Sequence, residues 1–159
     1  MRGPMTSLAD MQLVDIYKII DTRVVAFYAV AKHLQKYHVI NEGGSITATT
    51  ARSYERPIKG FCTTGAMTAG VVGAVRSLAV ELAPIRVNVV ALGAINTELW
   101  VNAGMPPAAI SELLEGLGQK TLVGTHGKPE DVAEAFLYVM KDKNISGQEI
   151  CTDGGASLV

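Results

Sequence analysis

The hydrophobic positions along the chain fall into two periods. From Leu13 onward, apolar residues recur at Ile16, Ile19, Ile20, Val24, Phe27, Ala31 and Leu34. Gaps of three and four put them on one face of a helix spanning 8–38, about eight turns long. Ser7 precedes the run and Asp10 follows it by three, close to a capping box. A break is expected near Asp21-Thr22, and Asn41-Glu42-Gly43-Gly44 ends the run in a turn. Ser45-Ile46-Thr47-Ala48-Thr49-Thr50 then alternates and is β-branched, which predicts a strand with one more polar face. Residues 51–62, with Pro57 and Gly60, read as a loop.

A second long helix is predicted over 63–83. It holds Gly65, Gly70 and Gly73, and each internal glycine costs about 0.8–1 kcal/mol relative to alanine. Ala66, Gly70, Gly73 and Ser77 form a small-residue stripe on it. Such a stripe either packs on the chain's own sheet or admits a second helix or subunit at close range. Pro84 ends the helix. Ile85-Arg86-Val87-Asn88-Val89-Val90-Ala91-Leu92 follows, a strand apolar enough to be covered on both faces, with Gly93 at its carboxyl end. A helix is expected near Pro107–Gly116. Another opens at Pro129-Glu130-Asp131, with proline and acids in its first turn, and runs to Met140. Glu149-Ile150-Cys151-Thr152 is a last strand, closed by Asp153-Gly154-Gly155. This order predicts an α/β fold: a partial Rossmann-like three-layer unit with a short parallel sheet of about three strands flanked by long helices.

Composition narrows the class. The 159 residues make one domain, and 48% hydrophobic against 18% charged excludes a disordered chain. Fourteen basic residues against fifteen acidic leave a net charge of −1. That argues against a nucleic-acid binder with a basic face and favours self-association. Apolar runs such as Val24–Ala31 fall short of the roughly 20 residues of a membrane span. No apolar stretch follows Met1-Arg2-Gly3-Pro4, so no secretory signal is expected. Cys62 and Cys151 form no CxxC pair and read as reduced thiols of a cytoplasmic protein. His33, His38 and His126 lack metal-ligand spacing, so no metal is expected. Tyr54 and Lys59 read first as ordinary loop residues.

Several stretches resemble the short-chain dehydrogenase/reductase (SDR) family. Gly44-Ser45-Ile46 looks like the start of its fifth strand. Arg76-Ser77-Leu78-Ala79-Val80-Glu81-Leu82-Ala83-Pro84-Ile85-Arg86-Val87-Asn88 is similar to its long helix running into its sixth strand. Gly93-Ala94-Ile95-Asn96-Thr97 resembles the loop that touches the nicotinamide. Gly127-Lys128-Pro129-Glu130-Asp131-Val132-Ala133 and Ser146-Gly147-Gln148 through Asp153-Gly154-Gly155 resemble its last helix and strand. The resemblance covers almost the whole chain. It implies that 1–159 is a single domain corresponding to the carboxyl-terminal half of the family fold.

The departures from the family carry the functional expectation. The chain has no glycine-rich phosphate loop after a strand, and Gly3-Pro4-Met5-Thr6 looks like the loop before the family's fourth helix. No cofactor is therefore expected. The resemblance puts the family's tyrosine at Thr64, its lysine at Thr68, its serine at Ala51 beside Thr50, and its asparagine at Asp21. A threonine hydroxyl cannot replace a lysine-activated phenol in proton transfer near neutral pH. Leu92 stands where the family has the proline of its Pro-Gly loop.

Three readings follow. In the first, the chain is a cofactor-independent, non-redox enzyme (isomerase, cyclase or dehydratase type) acting on a small apolar molecule. Asp21, Thr50, Thr64 and Thr68 are then the candidate catalytic positions, and Tyr54, Cys62, Ile95, Leu99, Trp100 and Met105 the candidate substrate-binding ones. A buried Asp21 without a cation would have a raised pKa and serve as acid or base. Its plainer reading is a helix-break residue bonded to local backbone. In the second, the chain is an inactive pseudoenzyme acting as a dimerising or regulatory module. In the third, Gly93, Ile95 and Thr97 are a cofactor-contact remnant, and the chain is an oxidoreductase using cofactor held by a partner chain. A homo-oligomer is expected through helices 8–38 and 63–83 or through the 45–50 edge strand, whose outer neighbour the resemblance leaves out.

Overall fold

The computed structural model describes residues 8–59, 61–102 and 104–159. Three strands, β1 (Ser45–Ala51), β2 (Arg86–Leu92) and β3 (Glu149–Thr152), form one sheet in the order β1-β2-β3. Both pairings are parallel, with Ser45 opposite Arg86 and Val89 opposite Glu149. The α/β class and the short parallel sheet are as the sequence predicts.

The central strand explains the layering. Side chains alternate across a strand, so Val87 and Val89 point to one face of the sheet and Val90 to the other. The first face packs on α3 (Cys62–Glu81) through Val71, Val72, Val75 and Leu78. The second packs on α6 (Pro129–Lys141) through Val139, with Phe136 and Ile145 beside it. β2 is buried from Arg86 through Ala91, which accounts for its near-continuous apolar sequence.

Polar residues in β2 hold the other elements in place. The buried Arg86 guanidinium donates to the carbonyl oxygens of Val139, Met140 and Ile145, capping the carboxyl end of α6. Asn88 is fully buried; its amide donates to Ile145 O at 3.0 Å and its Oδ1 accepts from Gln148 N at 3.1 Å. The Arg-Val-Asn stretch thus stitches the central strand to the turn before β3.

The first long helix differs from expectation. Leu8–Asp10 form a turn, and the helix proper starts at Leu13; Ser7 lies outside the described residues. It runs as α1 (Leu13–Ile20), a π-helical turn over Asp21–Val25, and α2 (Ala26–Lys36). The break falls where Asp21-Thr22 places it. There the Thr22 hydroxyl donates back to Lys18 O at 2.8 Å, a local bond that competes with the helix ladder. Leu13, expected on the core face, is 70% exposed, and Ala31 is the one fully buried residue of α2. The first helix meets the rest of the fold through Val24 and Phe27, which pack on the core that α3 builds over the sheet. Among the stripe residues, Gly70 makes this contact: a Cβ there would lie 3.0 Å from Val24 Cγ2. Ala66, Gly73 and Ser77 remain exposed.

Between β2 and α6 lie α4 (Leu99–Asn102), a single turn the sequence pattern does not reveal, and α5 (Pro107–Gly118). No helix among the described residues is long and apolar enough to cross a membrane.

Candidate functional site

In open parallel sheets, ligands bind in the crevice outside the carboxyl ends of the strands. Here that end is built from Thr50 and Ala51 of β1, Leu92 at the end of β2 with Gly93 after it, and Thr152 at the end of β3 with Asp153 after it. Gly93 lets the last two loops touch. A Cβ at this position would lie 2.7 Å from Asp153 Cα, inside the packing limit for backbone.

The hydroxyls at the mouth of β1 form one cluster. Thr68 is 1% exposed. Its Oγ1 donates back along α3 to Thr64 O at 2.8 Å, with Gly65 O at 3.1 Å. Having spent its proton, Thr68 Oγ1 accepts from Ser53 Oγ at 3.1 Å. The Thr50 hydroxyl donates to Thr68 O at 3.2 Å, and the Thr64 hydroxyl to Phe61 O at 2.7 Å. Three of the four candidate catalytic positions are thus brought onto one helix–strand contact, and each spends its hydroxyl proton on a backbone carbonyl. Ser53 joins them unforeseen; its signal was a hydroxyl residue just past the end of a strand.

Asp21 does not join them. It is exposed on the π-helical turn, where its carbonyl accepts from Ala26 N. The burial on which its acid–base role depended is therefore absent. Of the plainer reading, a helix-break residue bonded to local backbone, the place at the helix break describes its position.

The candidate substrate residues separate into three places. Ile95 is buried and pairs with Gly127 in a short parallel bridge. Trp100 Nε1 donates to Ile95 O at 2.8 Å, and Met105 N reaches Trp100 O at 3.2 Å. These residues form one lid-like unit with the exposed Leu99. Cys62 is exposed at the first turn of α3. Tyr54 belongs elsewhere. Its ring packs on the α3 core, and its hydroxyl lies 2.5 Å from Glu149 Oε2 and 3.0 Å from Glu55 Oε1.

That hydroxyl opens a polar cluster missed in the sequence because its members lie about a hundred residues apart. Arg52 bonds Glu55, the Cys151 sulfur and Ser157, and Arg56 bonds Ala156 O. Burial and the hydrogen bonds to Glu149 and Glu55 push the Tyr54 phenol well above its ordinary range. Burial also raises the Cys151 thiol, against the opposing pull of Arg52. Asp153 goes the other way. Burial would raise it, but hydrogen bonds from Ser157 and Gly155 prevail and lower it.

The space left at the strand ends is small. A cavity of about 50 Å³ lies between the 93–95, 121–127 and 152–154 loops, against Ile95, His126 and Asp153. It holds about one water molecule. A wider depression of about 330 Å³ lies outside it, between α5 and the Gly124–His126 loop. Ile95 alone of the candidate substrate residues lines either. Among the described residues no cluster of three or more metal-capable side chains occurs.

The parallel sheet, its two helical layers and the strand-end crevice define a Rossmann-like α/β domain. The SDR-like Rossmann domain matches residues 4–159. The chain belongs to the short-chain dehydrogenase/reductase family. It is 35% identical over 156 residues to the short-chain dehydrogenase/reductase ATR9 of Stachybotrys chlorohalonatus, covering 98% of this chain and 60% of that protein. It is 36% identical to malC of Malbranchea aurantiaca, covering 95% of this chain and 56% of that one. The chain therefore spans about 60% or less of these relatives' length. In structure it matches a small-chain dehydrogenase in complex with NADPH (TM-score 0.91, 29% identity, 99% of this chain and 70% of that one). It also matches the MalC reductase/Diels-Alderase (TM-score 0.87, 35% identity, 97% and 59%).

The family implies a nicotinamide cofactor, and the residues present do not fit its chemistry. At the positions that the resemblance gives to the family's proton relay stand Thr64 and Thr68, with their hydroxyls committed to carbonyls. Gly93 is required by contact with Asp153, and Thr97 Oγ1 faces Leu99 N at 3.4 Å.

Proposed function

We propose that this chain forms the substrate side of a cofactor-independent, non-redox SDR-type enzyme, which binds a small apolar molecule and holds it in the shape its reaction requires. One observation carries the reading: the positions that move protons in the family are threonines, and both spend their hydroxyls on backbone carbonyls. A chemistry with no proton to transfer is the one such a crevice serves. Cyclisation and isomerisation by templating need the reacting atoms oriented and water kept out, and orientation alone supplies a large part of many barriers. The MalC relative is described as both a reductase and a Diels-Alderase, and a cycloaddition demands shape rather than an acid or base. The free thiols Cys62 and Cys151 suit a reducing, cytoplasmic compartment.

A second reading, the pseudoenzyme module, is favoured by the apolar face of α1. Leu13, Val14 and Tyr17 stand exposed there. With a net charge of −1 little repulsion opposes pairing, and a second copy is the partner this reading names.

Native mass spectrometry on freshly purified protein, with bound species released and weighed, tests both. A small apolar adduct without nucleotide supports the templating enzyme. A dimer without adduct supports the module. A nucleotide mass overturns both and points to redox chemistry with cofactor held by this chain or a partner.

A further inference from the structure

The depression of about 330 Å³ between α5 and the Gly124–His126 loop takes no part in the function proposed above. Its shape is built in. The helix meets the loop at Gly118, where a Cβ would lie 2.6 Å from His126 N and 2.9 Å from Thr125 C. Only glycine allows backbone to approach that closely. The Thr121 hydroxyl lies 2.8 Å from Gly118 O and 3.1 Å from Thr125 O, a second tie between helix and loop. Gly124 turns the loop at a φ of +72°. The two walls carry opposite polarity. On the α5 side, Ser111, Glu115 and Gln119 are spaced by four and share one helical face. Glu115 is an exposed carboxylate in the last turn of α5, where the helix dipole adds negative partial charge. On the loop side stand Thr125 and His126. Neither of their backbone N–H groups has a hydrogen-bond acceptor among the described residues. Successive unpaired amides attract an anion. No lysine or arginine lines the depression. A bare anion would meet the Glu115 carboxylate, and a bare cation would leave both amides without a partner. A molecule carrying both charges answers both walls.

We propose that this depression binds a small zwitterion of the amino-acid type, its ammonium on the Glu115 carboxylate and its carboxylate on the backbone N–H groups of Thr125 and His126. Ser111 and Gln119 lie along the same wall and offer hydroxyl and amide partners to the rest of the molecule. The proposal does not rest on the non-redox reading above. It bears on the same region of the fold, because Thr125 and His126 also line the small cavity at the strand ends.

The test is amide NMR on the full chain with L-alanine, with ethylamine, which keeps only the ammonium, and with propionate, which keeps only the carboxylate. L-Alanine should shift the Thr125 and His126 amides and saturate at millimolar concentration, the range open to a ligand of this size. Each single-ended probe should bind roughly three- to fivefold more weakly, the worth of a partly exposed ion pair. Glu115→Gln should weaken L-alanine by the same factor and leave propionate no weaker. Glu112→Gln, an exposed change on α5 outside the depression, should leave L-alanine binding as it is. Equal weakening by both variants would reduce the effect to general charge and overturn the assignment. If Glu115→Gln lowers the unfolding midpoint, the three probes on the wild-type chain decide. Shifts that do not saturate, or none, overturn the site. Ethylamine or propionate binding as tightly as L-alanine makes it a site for one charge and overturns the zwitterion. Glucose shifting the same amides where L-alanine does not makes it a polyol site, with the same consequence.

Discussion

The Thr50 hydroxyl donates to the carbonyl oxygen of Thr68 across 3.2 Å, joining the end of β1 to the middle of α3. In the family resemblance these two positions adjoin the reacting groups, with Thr68 at the lysine and Thr50 beside the serine. Here they hold helix to sheet. The hydroxyl of Thr68 is also the acceptor for Ser53, so this one residue joins β1 to α3 through its carbonyl and the turn after β1 to α3 through its side chain.

Thr68→Val should therefore act on stability and not on chemistry. It removes a buried hydroxyl and leaves Ser53 without its acceptor, at a cost of about 1–2 kcal/mol. Urea denaturation should show that loss. Turnover of any apolar substrate found should stay within about twofold, because a structural hydrogen bond makes no difference between ground and transition states. Abolished turnover at unchanged stability would give Thr68 a chemical role.

The fold was legible because its signals are local. The alternation of Val87, Val89 and Val90 and the three-four spacing of the first helix each declare one element. The site was half legible. The family positions led to Thr50, Thr64 and Thr68, which do meet. The cluster of Arg52, Tyr54, Glu55, Glu149 and Cys151 did not announce itself, since only the fold brings Arg52 to Cys151. α4 was invisible for another reason: four residues are too few to show a period. The exposure of Asp21 depended on how the helix is rotated about its axis, which the π-helical turn shifts.

Arg86 tests how far one buried charge holds the second layer. It is 8% exposed and supplies hydrogen bonds to two carbonyls at the end of α6, Val139 and Met140, and to Ile145 O in the turn beyond it. Arg86→Leu leaves those acceptors dry and removes a cation from the negative end of a helix. A loss of roughly 3 kcal/mol is expected. Chemical denaturation measures it, and Arg86→Lys should recover part of it. A loss below about 1 kcal/mol would mean that water replaces the guanidinium.

Acid should loosen the carboxyl-terminal turn first. The Asp153 carboxylate accepts from Gly155 N at 2.9 Å and Ser157 N at 3.1 Å, and its pKa in the folded chain is lowered. A lowered carboxyl pKa contributes stability above the unfolded value of about 3.9, and this is lost as pH falls through the folded value. Amide exchange at Gly155 and Ser157 should therefore be flat at neutral pH, apart from its intrinsic pH dependence. Protection should fall below about pH 4, and Asp153→Asn should weaken that step. A step centred near neutral pH would assign the turn to another group.

Gly93→Ala would push a methyl to 2.7 Å from Asp153 Cα, a backbone atom that cannot rotate away. Overpacking of this kind costs about 1–3 kcal/mol. It should also part the loops after β2 and β3, where Gly93 N donates to Thr152 O at 3.0 Å. Thermal unfolding reports the first effect and faster exchange at the Gly93 amide the second. A neutral substitution would show that the two loops have slack.

Self-association is most directly probed on α1. Leu13 and Tyr17 lie one turn apart and are each 70% exposed, while no residue of α1 is buried. If a second copy covers this face, the wild-type chain sediments as a dimer or larger at micromolar concentration. Tyr17→Lys then sets like charges against each other across a two-fold contact, where a residue of one subunit meets the same patch of its partner. Desolvating that charge adds to the repulsion. The variant should sediment as a monomer with its unfolding midpoint lowered, because dissociation removes the stabilisation that binding gives the folded form. A wild-type chain that sediments as a sharp monomer at the same concentration would exclude the second copy and leave the exposed face of α1 to a different partner.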